Sequence, residues 1–249
     1  MSIPVQLFIT CLGEQFYPGM LQKMVTLLER LGVEARFPAA QTCCGQPLFN
    51  SGFQNDARRL AKAWLETFGR DPAPVVSPSG SCVDMVRHHY PALFPAGSPE
   101  HSLALDLAGR TFEFSEYLVH QLGVTNVGAR FPKRVTYHAS CHGLRGLGLR
   151  EEAKSLLRAV DGLELVPLKE EETCCGFGGV FSVVYPPVSQ AMMESKVRNI
   201  IASGAEAVVA CDAGCLMNIS GGLQKAGSPI RAMHLIEVLA AQETPEAQR

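Results

Sequence analysis

Eight of the nine cysteines fall into two sets of four: Cys11, Cys43, Cys44 and Cys82, then Cys141, Cys174, Cys175 and Cys215. Between the first cysteine and the adjacent pair lie 31 residues in one set and 32 in the other; 37 and 39 residues follow the pairs. Adjacent cysteines make poor disulfide partners because the ring that would join them is strained. Thiolate is the soft ligand that selects iron–sulfur clusters, zinc or Cu(I). A single zinc usually draws its thiolates from short C-x2-4-C knuckles, which these spacings lack. Neighbouring side chains on an extended backbone diverge, so Cys43 and Cys44 suit two atoms of a larger cluster better than one ion. Each set supplies the four thiolates of a [4Fe-4S] cluster, so two such clusters are the leading expectation for these eight metal-binding cysteines, with zinc the alternative.

Other reactive residues gather in the second half. His138 and His142 flank Cys141, with Arg145 close behind. These side chains could hydrogen-bond a cluster sulfur, hold a substrate carboxylate or replace a ligand; the plainer expectation is that His138 ends a buried strand and His142 caps a helix. His142 and Arg145 are the candidate catalytic pair, ahead of His88 and His89. Cys211 has no counterpart in the first half and is expected to be a spare buried thiol. Gly45 and Gly176 follow the cysteine pairs and let backbone approach a cluster closely; Gly176-Phe177-Gly178-Gly179 is no phosphate loop, since no Gly-Lys-Ser/Thr follows. Trp64 and the helically spaced Met20, Met24, Met192 and Met193 are expected in the core.

The elements that must position these residues repeat in order. Strands are expected at Val5–Thr10, Val33–Phe37 and Pro74–Ser77, with helices over Tyr17–Leu31 and Asn55–Phe68. The second half repeats them with strands at Arg134–His138, Leu163–Leu168 and Glu206–Ala210 and helices around Glu151–Val160 and Val188–Ile201. Each cysteine site follows a strand. In parallel α/β sheets ligands bind at the carboxyl ends of strands. The fold class is therefore α/β: two pseudo-symmetric halves, residues 1–127 and 128–249, each a small, mainly parallel sheet with flanking helices. Thr42-Cys43-Cys44-Gly45 matches Thr173-Cys174-Cys175-Gly176, and the closing segment Arg110–Leu118 matches Arg231–Leu239. The offset of 131 at the pairs falls to 121 at the end, which places extra residues in Pro91–Gly109, expected to be a surface loop. The boundary falls near Gly123–Pro132, and the polar tail Gln242–Arg249 is expected to fray.

At 249 residues, 47% hydrophobic and 18% charged, with a net charge of −2, the composition is that of a globular protein without an electrostatic footprint for nucleic acid. No run approaches the roughly 20 apolar residues of a membrane span, and the start lacks a signal core, so a cytoplasmic location is expected. Nine cysteines in a reducing compartment point to metal or redox chemistry.

The chain resembles the tandem cysteine-rich CCG domain family, written C-x31-39-C-C-x33-39-C-x-x-C and found in duplicate. Members include the cysteine-rich subunit of heterodisulfide reductase and the iron–sulfur subunit of glycolate oxidase. Tyr137–Arg145 and Asp212–Asn218 are similar to second-half signatures of a subgroup of that family. Ser79 and Asp212 stand where the full motif places a further cysteine, leaving four thiols per half. The resemblance implies an iron–sulfur electron-transfer component, an oxidoreductase subunit, of a multi-subunit system oxidising L-lactate or another small 2-hydroxy acid. It further implies partner subunits that include a second iron–sulfur protein. No strand-borne G-x-G-x-x-G offers a hydride acceptor. The alternatives are a cluster-based thiol/disulfide reductase of the heterodisulfide type and a non-catalytic, zinc-stabilised interaction protein.

Overall fold

The computed structural model describes residues 3–242. The first half runs β1 (Ile3–Leu7), α1 (Cys11–Phe16), α2 (Pro18–Arg30), β2 (Val33–Arg36), α3 (Gln46–Asn50) and α4 (Gln54–Phe68). It continues with β3 (Val75–Ser77), α5 (Gly80–Asp84), α6 (Pro99–Gly109), β4 (Thr111–Glu113) and α7 (Phe114–Glu116). The second half runs β5 (Arg134–Tyr137), a π-helical turn (His142–Gly146), α8 (Glu152–Arg158), β6 (Glu164–Val166), α9 (Val180–Val184) and α10 (Pro186–Ala202). It closes with β7 (Ala207–Ala210), α11 (Ala213–Lys225), β8 (Arg231–His234) and α12 (Leu235–Leu239).

Each half builds a four-stranded sheet, ordered β2-β1-β3-β4 and β6-β5-β7-β8, and every pairing is parallel. The chain order reverses beside β1 and beside β5, and such a switch point opens a crevice past the strand ends. The segments that follow β1 and β3 place Cys11 and Cys82 in the first turns of α1 and α5; those that follow β5 and β7 place Cys141 just before the π-helical turn and Cys215 in the first turn of α11. The α/β duplication expected from the cysteine spacing is what the chain adopts.

Parallel sheets are buried on both faces, and here one face of each is shared. Val5 and Leu7 of β1, Met24, Leu27 and Leu28 of α2, Val135 of β5, Leu156 and Leu157 of α8 and Leu235 and Leu239 of α12 form a single core. Helix α12 packs on both α2 and α8. The outer faces have separate cores: Phe8, Trp64, Phe68 and Tyr90 in the first half, and Val197, Ile200, Val208, Ile219 and Leu223 in the second. At about 1.5–3 kcal/mol for each fully buried large apolar side chain, the shared layer contributes a substantial part of the stability of both halves.

The extra residues of the first half are a correction to the expected surface loop. Pro91–Leu93 forms a 3-10 turn and Pro99–Gly109 a helix. Ser98 caps it, its Oγ accepting from the His101 amide at 3.1 Å, and Pro99 fits the first turn, where no amide donor is needed. Leu93, Phe94, Ala104 and Leu107 are buried, with α6 packed on α4. The expected tail lies, apart from Gln242, outside the described residues.

The halves meet at a polar seam. Both Asp212 carboxylate oxygens accept from Ser81 across it, one from the backbone amide at 3.0 Å and one from the hydroxyl at 3.3 Å. His234 Nε2 donates to the Pro78 carbonyl at 3.0 Å, while Nδ1 accepts from the Ile236 amide at 3.2 Å and caps α12. Glu113 caps α7 at the matching position, and both helices carry a complete capping box. Gly80 and Gly143 touch here: a Cβ on Gly80 would lie 3.1 Å from the Gly143 backbone.

Candidate metal centres

In the first half Cys11 opens α1, where Thr10 Oγ1 accepts from the Gly13 amide at 3.2 Å. Cys43 and Cys44 lie in the loop after β2, drawn to the strand end by Gln41, whose Oε1 accepts from the Ile9 amide at 2.7 Å and whose Nε2 donates to the Leu7 carbonyl. Gly45 turns that loop into α3 at φ 80°, and Cys82 sits within α5. These devices bring Cys11 Sγ to 3.7 Å from Cys43 Sγ, and the contacts continue through Cys44 to Cys82. Cys44 and Cys82 are buried, while Cys11 reaches the surface.

The second half repeats the chain of thiols in the order Cys141, Cys174, Cys175, Cys215. The Tyr90 hydroxyl donates to the Cys44 carbonyl at 2.9 Å and Asn218 Nδ2 to the Cys175 carbonyl at 2.8 Å, so each pair is tethered at the same atom by a different side chain. The Gly45 and Gly176 amides point at Cys43 Sγ (3.5 Å) and Cys174 Sγ (3.3 Å).

Electrostatics divides the thiols alike in both halves. Hydrogen bonds from the neighbouring thiols, Cys11 and Cys141 foremost, hold Cys43 and Cys174 well below the ordinary thiol range, and the glycine amides add to this. Cys11, Cys44, Cys141 and Cys175 are pushed up, first by their hydrogen bonds to neighbouring thiols and then by burial. In each half Cys43 or Cys174 thus loses its proton readily, while the thiols pushed up give theirs up only with positive charge among them, which a metal centre supplies.

His138 adds an independent sign of fit. It is fully buried, and neither ring nitrogen has a hydrogen-bond partner among the described residues; the Glu171 carbonyl approaches without completing a bond. A ring nitrogen lies within 4.8 Å of Cys175 and Cys215 Sγ, a group that could hold a metal ion. Burial, followed by the charge of Lys196, pushes its pKa down to about 3. An unpaired buried imidazole is costly, so the thiols and this ring suit a metal or cluster that would complete their bonding.

The remaining candidates separate. His142 is half-buried, its Nδ1 3.5 Å from Cys141 Sγ and its Nε2 3.3 Å from Gln46 Nε2 and 3.9 Å from Asp84. Arg145 is exposed and donates to the Glu172 carbonyl at 2.8 Å, so the two are not paired on one ligand position. His88 binds Asp84 at 2.7 Å and His89 lies against Phe49. Cys211 is buried in the shared core, 3.7 Å from the Tyr137 hydroxyl. Sequence reasoning passed over Lys196, which is 1% exposed and donates to the Glu170 and Glu171 carbonyls at 2.6 and 3.1 Å. The available signal was its position between Ser189 and Ile200 on the buried face of α10.

Fold and donor set together define a tandem α/β protein with grouped thiols, suited to a metal or cluster, at the strand ends of each half. The chain belongs to the CCG cysteine-rich domain family, whose domain matches residues 5–87 and again 135–220. It is 50% identical over 236 residues to Lactate utilization protein A of Exiguobacterium sp., covering 94% of this chain and 96% of that one. Lactate utilization protein A of Halalkalibacterium halodurans is 48% identical over 239 residues, covering 96% and 97%. Among solved structures, a hypothetical protein from Helicobacter pylori aligns with 99% of this chain and 50% of its own length at a TM-score of 0.69 and 12% identity, a likeness of fold alone.

Proposed function

We propose that each half holds one iron–sulfur cluster, most simply [4Fe-4S], on Cys11, Cys43, Cys44 and Cys82 and on Cys141, Cys174, Cys175 and Cys215. The protein is then an electron-transfer component of a multi-subunit system that oxidises L-lactate to pyruvate. The observation that carries the reading is the twofold occurrence of four contacting thiols with a glycine amide aimed at one sulfur of each set. The lactate role is drawn from what the similar proteins are named for.

Bound clusters would supply one-electron acceptance. Lactate gives up two electrons and two protons on becoming pyruvate, so two centres match the electron count. The chain's own residues hold the thiols, bury Cys44, Cys82, Cys175 and Cys215 from solvent and leave Cys11 at the surface, where a partner iron–sulfur subunit could exchange electrons. A disulfide reductase would need a free group beside a centre. Asp212 is instead engaged by Ser81, and Cys211 lies with Tyr137 in the core. Among the described residues no helix is long and apolar enough to cross a membrane.

Anaerobic purification tests the reading. About eight irons and eight acid-labile sulfides per chain, with a broad visible absorbance that bleaches on reduction, are expected. Cys44→Ser and Cys175→Ser should each remove half the iron. Zinc without sulfide would sink the proposal.

A further inference from the structure

The two centres sit in unlike surroundings. Gly45 rests over Ala57 and Leu60 of α4 as Gly176 rests over Ser189 and Met192 of α10, so the helices superpose with an offset of 132. Trp64 then corresponds to Lys196, and, at the offset of 130 that relates Cys11 to Cys141, Phe8 corresponds to His138. In the first half Phe8 and Trp64 meet edge to face, ring centroids 5.3 Å apart, in an apolar wall that includes Cys44 and Cys82. In the second half the same two positions carry an imidazole and an ammonium group. One imidazole nitrogen lies within 4.8 Å of the Cys175 and Cys215 sulfurs, and the Lys196 ammonium is fixed by two carbonyls. One of these belongs to Glu170, held in the left-handed region at φ 56°, a conformation costly for a residue with a side chain. Solvent exposure separates the centres only at the first cysteine, exposed at Cys11 and half-buried at Cys141; Cys44 and Cys175 are 3% and 2% exposed, and Cys82 and Cys215 both 8%.

We propose that His138 and Lys196 make the second-half centre the higher-potential member of the pair, so that an electron shared between the two resides there. The inference rests on the iron–sulfur reading above. Reduction adds one electron and one unit of negative charge, with no bond made or broken. A buried ammonium and an N–H donor favour the more negative state, and net charge and hydrogen bonds to sulfur are what set such potentials. The aromatic wall offers no cation; its one N–H, Trp64 Nε1, is buried and without a partner among the described residues, so the ammonium carries the main difference between the centres.

Potentiometric titration followed by electron paramagnetic resonance, on the full chain reconstituted anaerobically, tests this. Cys44→Ser isolates the second-half centre and Cys175→Ser the first. The second-half centre is expected to reduce at higher potential. In the Cys44→Ser background, Lys196→Met and His138→Phe should each shift its one-electron equilibrium at least tenfold toward the oxidised form, which is about 59 mV. Phe8→His, in the Cys175→Ser background, should move the first-half centre the opposite way, and it keeps the test decisive if a Lys196 variant fails to fold. Equal potentials in the two parent backgrounds, or potentials unmoved by these changes, overturn the proposal. Loss of half the iron in His138→Phe of the full chain also overturns it, by making His138 a ligand. Wild-type chain without iron and sulfide would instead bring down the parent reading, and this one with it.

Discussion

Gly45 and Gly176 occupy equivalent turns, yet alanine should cost far more at one than the other. Both have left-handed backbones, φ 80° and 89°. Alanine in that region costs about 1–2 kcal/mol. At Gly45 the new Cβ would meet its nearest neighbour, the Ala57 carbonyl oxygen, at 3.5 Å, an ordinary contact. At Gly176 it would lie 2.5 Å from the Ser189 carbonyl oxygen and 3.1 Å from Met192 Cβ. The first of these is helix backbone and cannot swing aside. Ser189 Oγ also donates to the Gly176 carbonyl at 2.8 Å, so relief by moving the loop breaks a buried hydrogen bond. Overpacking of this kind adds about 1–3 kcal/mol. For a chain of this size each kcal/mol lowers Tm by about 2–4 °C. Gly45→Ala should therefore lower Tm by about 4 °C and Gly176→Ala by about 10 °C. Calorimetry on the reduced, metal-free chain reads this directly, and iron content after reconstitution should fall only in Gly176→Ala, where the clash with the Ser189 carbonyl displaces the turn whose amide points at Cys174. Equal losses in the two variants, or a neutral Gly176→Ala, would refute the steric reasoning.

Replacing Cys211 by alanine should leave the iron count unchanged, because its sulfur faces Tyr137 in the core; iron analysis that shows a loss would make it a ligand. Asp212→Ala leaves the Ser81 amide without its acceptor and should cost about 1–3 kcal/mol in urea unfolding, with Asp212→Asn recovering much of it; indistinguishable variants would discount the bridge. Burial lowers the His234 pKa to about 4. The unfolded chain then binds the extra proton, so stability is lost as pH falls from about 6.5 towards 4, by up to about 3 kcal/mol. Burial raises the Glu113 carboxyl to about 7. Here the folded chain keeps the proton, so stability is lost as pH rises from about 4.5 through 7, again by up to about 3 kcal/mol. Unfolding free energy measured against pH should lose the second slope in Glu113→Gln; a slope that survives would place its origin elsewhere.

Much of the architecture was legible because the cysteines are tied to strand ends, so their repeat carries the repeat of the sheet. Alternating apolar runs and helical spacing located β1, α2, β2 and α4 to within a few residues. Helix α6 was not read because Pro and Gly surround it, although Ser98-Pro99 is an N-cap followed by a first-turn proline and Ala104 and Leu107 lie on its buried side. The relative placement of His142 and Arg145 was not legible for a different reason: spacing does not state direction. The π-helical turn over His142–Gly146 leaves His142 at the seam with Gln46 and sends Arg145 out to Glu172. Lys196 was passed over because an amphipathic helix pattern treats a lysine as a surface residue even at a position on the buried face.

The seam has the geometry of an isologous contact, in which each surface would be met by its own copy. Glu113 and His234 are equivalent positions, as are Pro78 and Cys211 and, next to them, Ser79 and Asp212. In a dimer of identical ancestral chains every such contact would have been made twice, and no substitution could have favoured one side. Within a single chain that constraint is absent. His234 could then be selected against the Pro78 carbonyl without a matching change at Glu113, and Asp212 against Ser81 without a second aspartate. Two equivalent sites on one chain are thereby free to differ, as Phe8 and Trp64 in one half and His138 and Lys196 in the other do.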